Sequence, residues 1–215
     1  MSQEENLSAG RDLLHAGIRR FHNEIFRENR ELYETAAKEP QKPHTLIITC
    51  ADSRVDPEAL TQSGPGSIFV TRNIGNVVPA YGEMLGGVTA VIEYAVLALN
   101  VSQIVICGHS DCGAMKGLLK KQSVESMPTV KRWLQNAEAA LSIARAKHPE
   151  ADDYGILPDL IKENVLLQLN HLRTHPSVAG RAAEGKLALY GWVYEIGTGL
   201  VSEYEPTQQE FVPIV

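Results

Sequence analysis

The stretch Leu46-Ile47-Ile48-Thr49-Cys50-Ala51-Asp52-Ser53-Arg54 decides the reading of this chain. Its first half is a short apolar run, the pattern of a strand buried on both faces. Its second half is a turn that places a thiol, a carboxylate and a guanidinium within five residues, where the strand would meet solvent. About sixty residues later the pattern recurs. Ile104-Val105-Ile106-Cys107 reads as a second buried strand, and it leaves through Gly108-His109-Ser110-Asp111-Cys112-Gly113. In an open α/β sheet, ligands bind just outside the carboxyl ends of the strands. Two neighbouring parallel strands would bring Cys50, His109 and Cys112 to one point. Two sulfurs and an imidazole suit zinc, and three protein ligands leave a fourth position for water.

The composition frames this reading. With 215 residues and 44% apolar content, one well-buried domain is expected. The formal net charge of -6 offers no footprint for nucleic acid or an anionic membrane surface. No apolar stretch has the length of a membrane span. The first ten residues, with Glu4 and Glu5, lack a basic region followed by an apolar one, so no secretory leader is expected. Three cysteines are an odd number, and a reduced, cytoplasmic compartment is predicted, where cysteine serves metals or catalysis rather than disulfides.

Around the two strand exits the chain alternates helix and strand. Leu14, Ile18, Phe21 and Ile25 predict a long helix over Leu7–Ala36, apolar on one face, to pack on its own domain or, the favoured reading, on a partner subunit. Pro40 and Pro43 close it. Asp56-Pro57 predicts a capped short helix, Gly64-Pro65-Gly66 a turn, and Ile68-Phe69-Val70 a strand. Glu83–Leu99 reads as an amphipathic crossover helix with Leu85, Val88, Ile92, Ala95, Val96 and Leu99 inward, which makes the flanking strands parallel. A short helix to about Leu119, a polar loop over 120–127, and helices over 128–147 and 157–174 follow. Leu187–Glu195 reads as a strand and Leu200–Tyr204 as its hairpin partner. The fold class is therefore α/β: a central, mostly parallel sheet of about four parallel strands plus an antiparallel edge strand, flanked by helices. Residues 1–215 form one domain, with an N-terminal helical arm (1–40), an α/β core (41–125) and C-terminal helices and edge strands (126–215).

Each candidate has a plainer alternative. Cys107 lies inside an apolar run and reads as a buried hydrophobe, although it shares a strand face with His109. His109-x-x-Cys112 is a weak signal alone and gains weight from a strand-end cysteine on the same sheet edge. Asp52 and Arg54 could be a surface ion pair worth little. They could also be a charge-assisted pair at the metal, with Asp52 accepting a hydrogen bond there or closing the site as a fourth ligand. His171 and His175 have helical metal-binding spacing but no third ligand, and read as a helix-end pair. Ser110 and Asp111 could cap the following helix.

Cys50-Ala51-Asp52-Ser53-Arg54-Val55, Arg72-Asn73-Ile74-Gly75-Asn76, Gly86-Gly87 with Glu93-Tyr94-Ala95, and Gly108-His109-Ser110-Asp111-Cys112-Gly113 together resemble the β-class carbonic anhydrases. The resemblance runs from the first helix to the Gly191-Trp192-Val193-Tyr194 strand. It is closest to the plant-like, open-site subgroup and to bacterial enzymes similar to the cyanate-operon carbonic anhydrase. It implies one Zn2+ per subunit on Cys50, His109 and Cys112, and a dyad of Asp52 and Arg54. Gln41 would donate a hydrogen bond to the substrate, and Phe69, Ile74 and Tyr94 would form an apolar channel at a dimer interface. A second subgroup carries a tryptophan three residues before the first cysteine ligand, at an inhibitory bicarbonate site; here that position is Ile47. The implied reaction is reversible hydration of carbon dioxide to bicarbonate and a proton through zinc-bound hydroxide, with Gln41 and the Gly113 N–H stabilising charge on oxygen. The implied assembly is a dimer or tetramer, without nucleic acid or membrane. Two rivals remain at this point: hydrolysis of carbonyl sulfide or carbon disulfide on the same fold, and a non-catalytic zinc-stabilised binding protein.

Overall fold

A computed structural model describes residues 3–83 and 86–214. It divides into two compact units, 1–41 and 42–215.

The first unit is helical but not one helix. α1 (Gln3–Arg20) runs into a π turn at Phe21–Ile25, then α2 (Phe26–Glu28) and α3 (Arg30–Lys38). The break falls at Asn29, whose backbone leaves the helical region (φ -112°, ψ 24°) while its side-chain Nδ2 donates to the Ile25 carbonyl at 2.9 Å. Asparagine competes in this way with the helix's own ladder. Phe21, Phe26 and Tyr33 gather around the break, with the Phe21–Tyr33 and Phe26–Tyr33 ring centroids 5.5 Å apart. Leu14, Ile18, Phe21 and Ile25, the apolar face foreseen from the spacing, are 71%, 65%, 43% and 37% exposed.

The second unit is a six-stranded mixed sheet in the order β2-β1-β3-β4-β5-β6. Its strands are β1 (Thr45–Cys50), β2 (Ile68–Asn73), β3 (Gln103–His109), β4 (Ala188–Tyr194), β5 (Val201–Glu205) and β6 (Glu210–Pro213). The first four are parallel; β5 and β6 turn back antiparallel, one more such strand than the pattern predicts. The β4–β5 hairpin falls where its alternation placed it. β6 is too short and too polar at Glu210 to announce itself, and is held by pairing and by the Tyr204–Phe211 ring contact at 5.4 Å.

Alternation along each strand sorts the two faces. Leu46, Ile48, Ile104 and Ile106 pack with Ile92, Ala95 and Val96 of α5 (Gly87–Leu97) and with Val165, Leu169 and Leu172 of α9 (Asp153–Thr174). Ile47, Val105 and Cys107 point the other way, against Tyr190, Trp192 and Tyr194. Close approach of α9 is made possible by two glycines. A Cβ on Gly108 would meet Val165 at 2.8 Å, and one on Gly191 would meet the same side chain at 2.8 Å. Val165 is thus seated between β3 and β4.

Several helix bounds differ from the sequence reading. α9 begins at Asp153 rather than near Leu157, because Asp152 caps it by accepting from Gly155 N at 2.7 Å. The segment 128–147 is split into α7 (Pro128–Leu134) and α8 (Glu138–Lys147) by a 3-10 turn at Gln135–Ala137, and the loop at 120–127 contains another at Lys121–Val124. α5 starts at Gly87; Met84 and Leu85 of the expected helix lie outside the described residues. α4 (Pro57–Thr61) is capped by Asp56 as its sequence predicts. Among the described residues no helix is long and apolar enough to cross a membrane.

Candidate metal centre

β1 lies between β2 and β3, so the chain reverses its direction of travel across the sheet at β1, and a crevice opens at the carboxyl ends of β1 and β3. Cys50 is the last residue of β1 and His109 the last of β3, in strands whose register pairs Thr49 with Cys107. The chain then turns through Asp111 in the left-handed region (φ 59°) and returns Cys112 to the same point, ahead of α6 (Gly113–Leu119). The ligand atoms of Cys50, His109 and Cys112 all lie within 4.8 Å of one another. One ion with bonds of about 2.0–2.3 Å spans such a set.

The three residues are 5%, 0% and 1% exposed. His109 Nδ1 lies 2.8 Å from the Ser110 carbonyl, which can only accept, so Nδ1 carries the proton. Its Nε2 is then a buried lone pair without a protein partner. That tautomer, fixed by a backbone carbonyl, is how metal-bound histidines are held, and an orphaned buried acceptor is costly unless something fills the point it faces. The thiols fit the same reading. The hydrogen bond from Cys112 pulls the Cys50 thiol well below its ordinary value, while the same contact and burial push Cys112 well up. The set therefore presents one ready thiolate and a second that a cation would release. Cys107 stands outside the cluster; burial pushes its thiol up to about 12, the behaviour of an inert core residue.

A scaffold that the sequence reading missed holds the crevice walls. Arg72 of β2 donates from Nε to the Cys50 carbonyl (3.1 Å) and from Nη2 to the Asp52 carbonyl (2.6 Å), pinning the turn after β1. The loop after β2 is closed by Asn73, whose side chain both accepts from Val77 N (2.8 Å) and donates to its carbonyl (2.9 Å). Gly75 has φ +80°, and a Cβ there would stand 2.9 Å from that of Ala114. α9 grips this loop with a polar stripe: Asn164 donates to the Gly75 carbonyl (3.0 Å), Gln168 accepts from Val78 N (2.8 Å), and His171 and His175 donate to the Val78 and Pro79 carbonyls (2.7 and 3.0 Å). The two histidines are thus loop anchors, the plainer of their two readings. A polar side chain recurring at 164, 168, 171 and 175 on a buried helix face was the available signal.

At the rim, Arg54 forks onto Asp52: Nε to Oδ1 at 2.9 Å and Nη2 to Oδ2 at 2.7 Å. This contact holds the Asp52 carboxyl well below the usual carboxylate range. Ser110 and Asp111 do not cap α6. Ser110 Oγ donates to Glu195 at 2.6 Å, tying the turn to the end of β4, and Asp111 pairs with Arg54 and Lys116. A cavity of about 320 Å³ opens beside Cys50 and Asp52, with Ile74 and Gly113 in its wall and Val124, Met127 and Leu134 opposite. Trp133 fixes that wall by donating to the Ile74 carbonyl at 2.8 Å. Phe69 and Tyr94 touch each other, with centroids 6.1 Å apart, but do not line this cavity. Gln41 is exposed and ends the N-terminal unit.

A family model described as carbonic anhydrase matches residues 45–201. The carbonic anhydrase of Synechococcus elongatus is 45% identical over 195 residues, 90% of this chain and 71% of that protein. The β-carbonic anhydrase CcaA superposes with a TM-score of 0.92 at 40% identity, covering 95% of this chain and 99% of that one. A structure of tetrameric β-carbonic anhydrases from Sordaria macrospora matches with a TM-score of 0.70 at 29% identity, over 94% of this chain and 97% of that one. The matched stretch contains Cys50, His109 and Cys112.

Proposed function

Because the chain belongs to the β-class carbonic anhydrases, we propose that it interconverts carbon dioxide and bicarbonate at one zinc ion held by Cys50, His109 and Cys112. The observation that carries the reading is the buried cluster of two thiols and an unpartnered imidazole Nε2 beside an apolar cavity. Zinc bound there would supply Lewis acidity that lowers the pKa of water from 15.7 toward about 7, less far where two thiolates offset its charge.

The chain's own residues supply the rest. Asp52, kept ionised and aimed by Arg54, accepts a hydrogen bond from the attacking oxygen and orients its lone pair towards the carbon. Ile74 offers apolar contact to a substrate without a dipole. The Gly113 N–H would donate to the oxygen on which negative charge grows, and the family resemblance gives Gln41 the role of a second donor. Phe69 and Tyr94, apart from the cavity in one chain, would complete the apolar channel across a dimer interface. The exposed apolar face of α1 supports an arm laid over a partner subunit, and the assembly is a dimer or a tetramer. The open, plant-like subgroup is favoured by Ile47 and by the engagement of both Asp52 oxygens with Arg54. A cytoplasmic location is consistent with three free cysteines. The small molecule is the partner; neither nucleic acid nor membrane is invoked.

Stopped-flow hydration of carbon dioxide by the zinc-loaded protein, scanned from acidic to alkaline pH, tests the reading. Turnover that rises through the neutral range is expected. Absence of turnover in alkali, with zinc bound stoichiometrically, would overturn it.

A further inference from the structure

Asp111 lies between two of the metal-binding residues in sequence, yet its carboxylate serves neither. One oxygen, Oδ2, accepts from Arg54 Nη1 at 3.1 Å, and the other is paired with Lys116 Nζ from α6. Arg54 Nη2 also reaches the Asp111 carbonyl at 3.4 Å. The guanidinium is therefore held from two sides, by Asp52 through Nε and Nη2 and by Asp111 through Nη1.

The backbone makes the choice of residue informative. Asp111 adopts φ 59°, where glycine is free of strain and asparagine and aspartate are tolerated. The turn alone would be served by glycine or asparagine. A carboxylate there adds a second side-chain anchor for an arginine whose side chain is 45% exposed and otherwise held, among the side chains of the described residues, by the Asp52 carboxylate alone. Planar, two-sided hydrogen bonding is the mode in which a guanidinium is fixed in direction as well as in place.

We propose that Asp111, backed by Lys116, is a positioning residue for the reaction: it braces Arg54, and through Arg54 it fixes the direction of Asp52. This rests on the function proposed above, in which Asp52 orients the attacking oxygen. Misplacing an orienting group by about 1 Å costs on the order of 100-fold in rate, so loss of the brace is expected to lower kcat by about 10- to 100-fold with KM within about twofold.

Two variants separate bracing from turn-making. Asp111→Gly accepts the positive φ and keeps the backbone carbonyl but offers Arg54 no side-chain acceptor; Asp111→Asn accepts it and keeps a side-chain oxygen for Arg54 Nη1. The brace predicts a large fall in kcat for Asp111→Gly, partial rescue in Asp111→Asn, an intermediate value for Lys116→Met, and unchanged zinc content in all three. A second readout is the visible absorption of the cobalt(II)-substituted proteins. With Arg54 unbraced, Asp52 is free to reach the metal, so the Asp111→Gly spectrum should change while that of Asp111→Asn stays close to the parent. Wild-type kcat and spectrum in Asp111→Gly would overturn the brace, as would equal losses in Asp111→Gly and Asp111→Asn. A parent protein with zinc but without turnover would instead sink the proposed function, and the cobalt spectra would then decide the brace alone.

Discussion

Cys50, His109 and Cys112 are 5%, 0% and 1% exposed, whereas the side chains of Arg54 and Asp111, carried by the same two strand exits, are 45% and 52% exposed. The inner group uses soft donors in a place where a lone pair has no protein partner to satisfy it. The outer group uses full charges at the water boundary, with Asp52 the most covered at 16% exposed; each exposed pair is worth little in stability, but several together set direction. Burial makes the inner group nearly all-or-none. Exposure makes the outer group graded, and suits it to orienting rather than holding.

That division can be broken at its strongest point. Cys112→Ala removes one of three donors, and zinc content measured after dialysis should fall towards zero, with turnover. Retention of one zinc per chain would mean that another residue ligates. Asp52→Asn probes the outer group: turnover is expected to drop by about 10²- to 10⁴-fold, the usual worth of a positioned acid–base group, with zinc retained. Zinc lost along with activity would make Asp52 part of the inner group and erase the distinction. Away from both, Asn164→Ala strands the Gly75 carbonyl and takes from Gln168 Nε2 the oxygen it donates to, and denaturant melts should show a loss of about 1–3 kcal/mol. The smallest effect is expected at Lys131→Met. It breaks an exposed pair with Glu125, and both melting and turnover should stay within about 1 kcal/mol of the parent; a larger change would show that exposed charge here does more than orient.

How much of this was legible in the chain depends on the range of the interactions involved. Cys50, His109 and Cys112 could be placed together because two apolar runs each end in metal-binding residue types and a crossover helix makes the strands parallel; the condition that they be neighbours is met by the β1–β3 pairing. The dyad was legible because Asp52 and Arg54 are two residues apart. Arg72, Asn164 and Gln168 were not, since their partners are backbone groups 20 to 90 residues distant, and a backbone carbonyl has no sequence signature. Asn29 broke a helix whose hydrophobic spacing runs straight through it, because a local side-chain hydrogen bond competes with periodicity. β6 went unseen because four residues at a sheet edge are too few for alternation to register.

Val165, pressed between Gly108 and Gly191, carries a consequence for how this sequence can drift. The three positions share one fixed volume, so a methyl gained on either strand is harmful unless the helix side chain shrinks with it. In genetic language they form a single epistatic locus spread over 84 positions of the chain. Because Gly108 immediately precedes His109, that locus abuts the metal centre, and neutral exchange within it must proceed without shifting the imidazole.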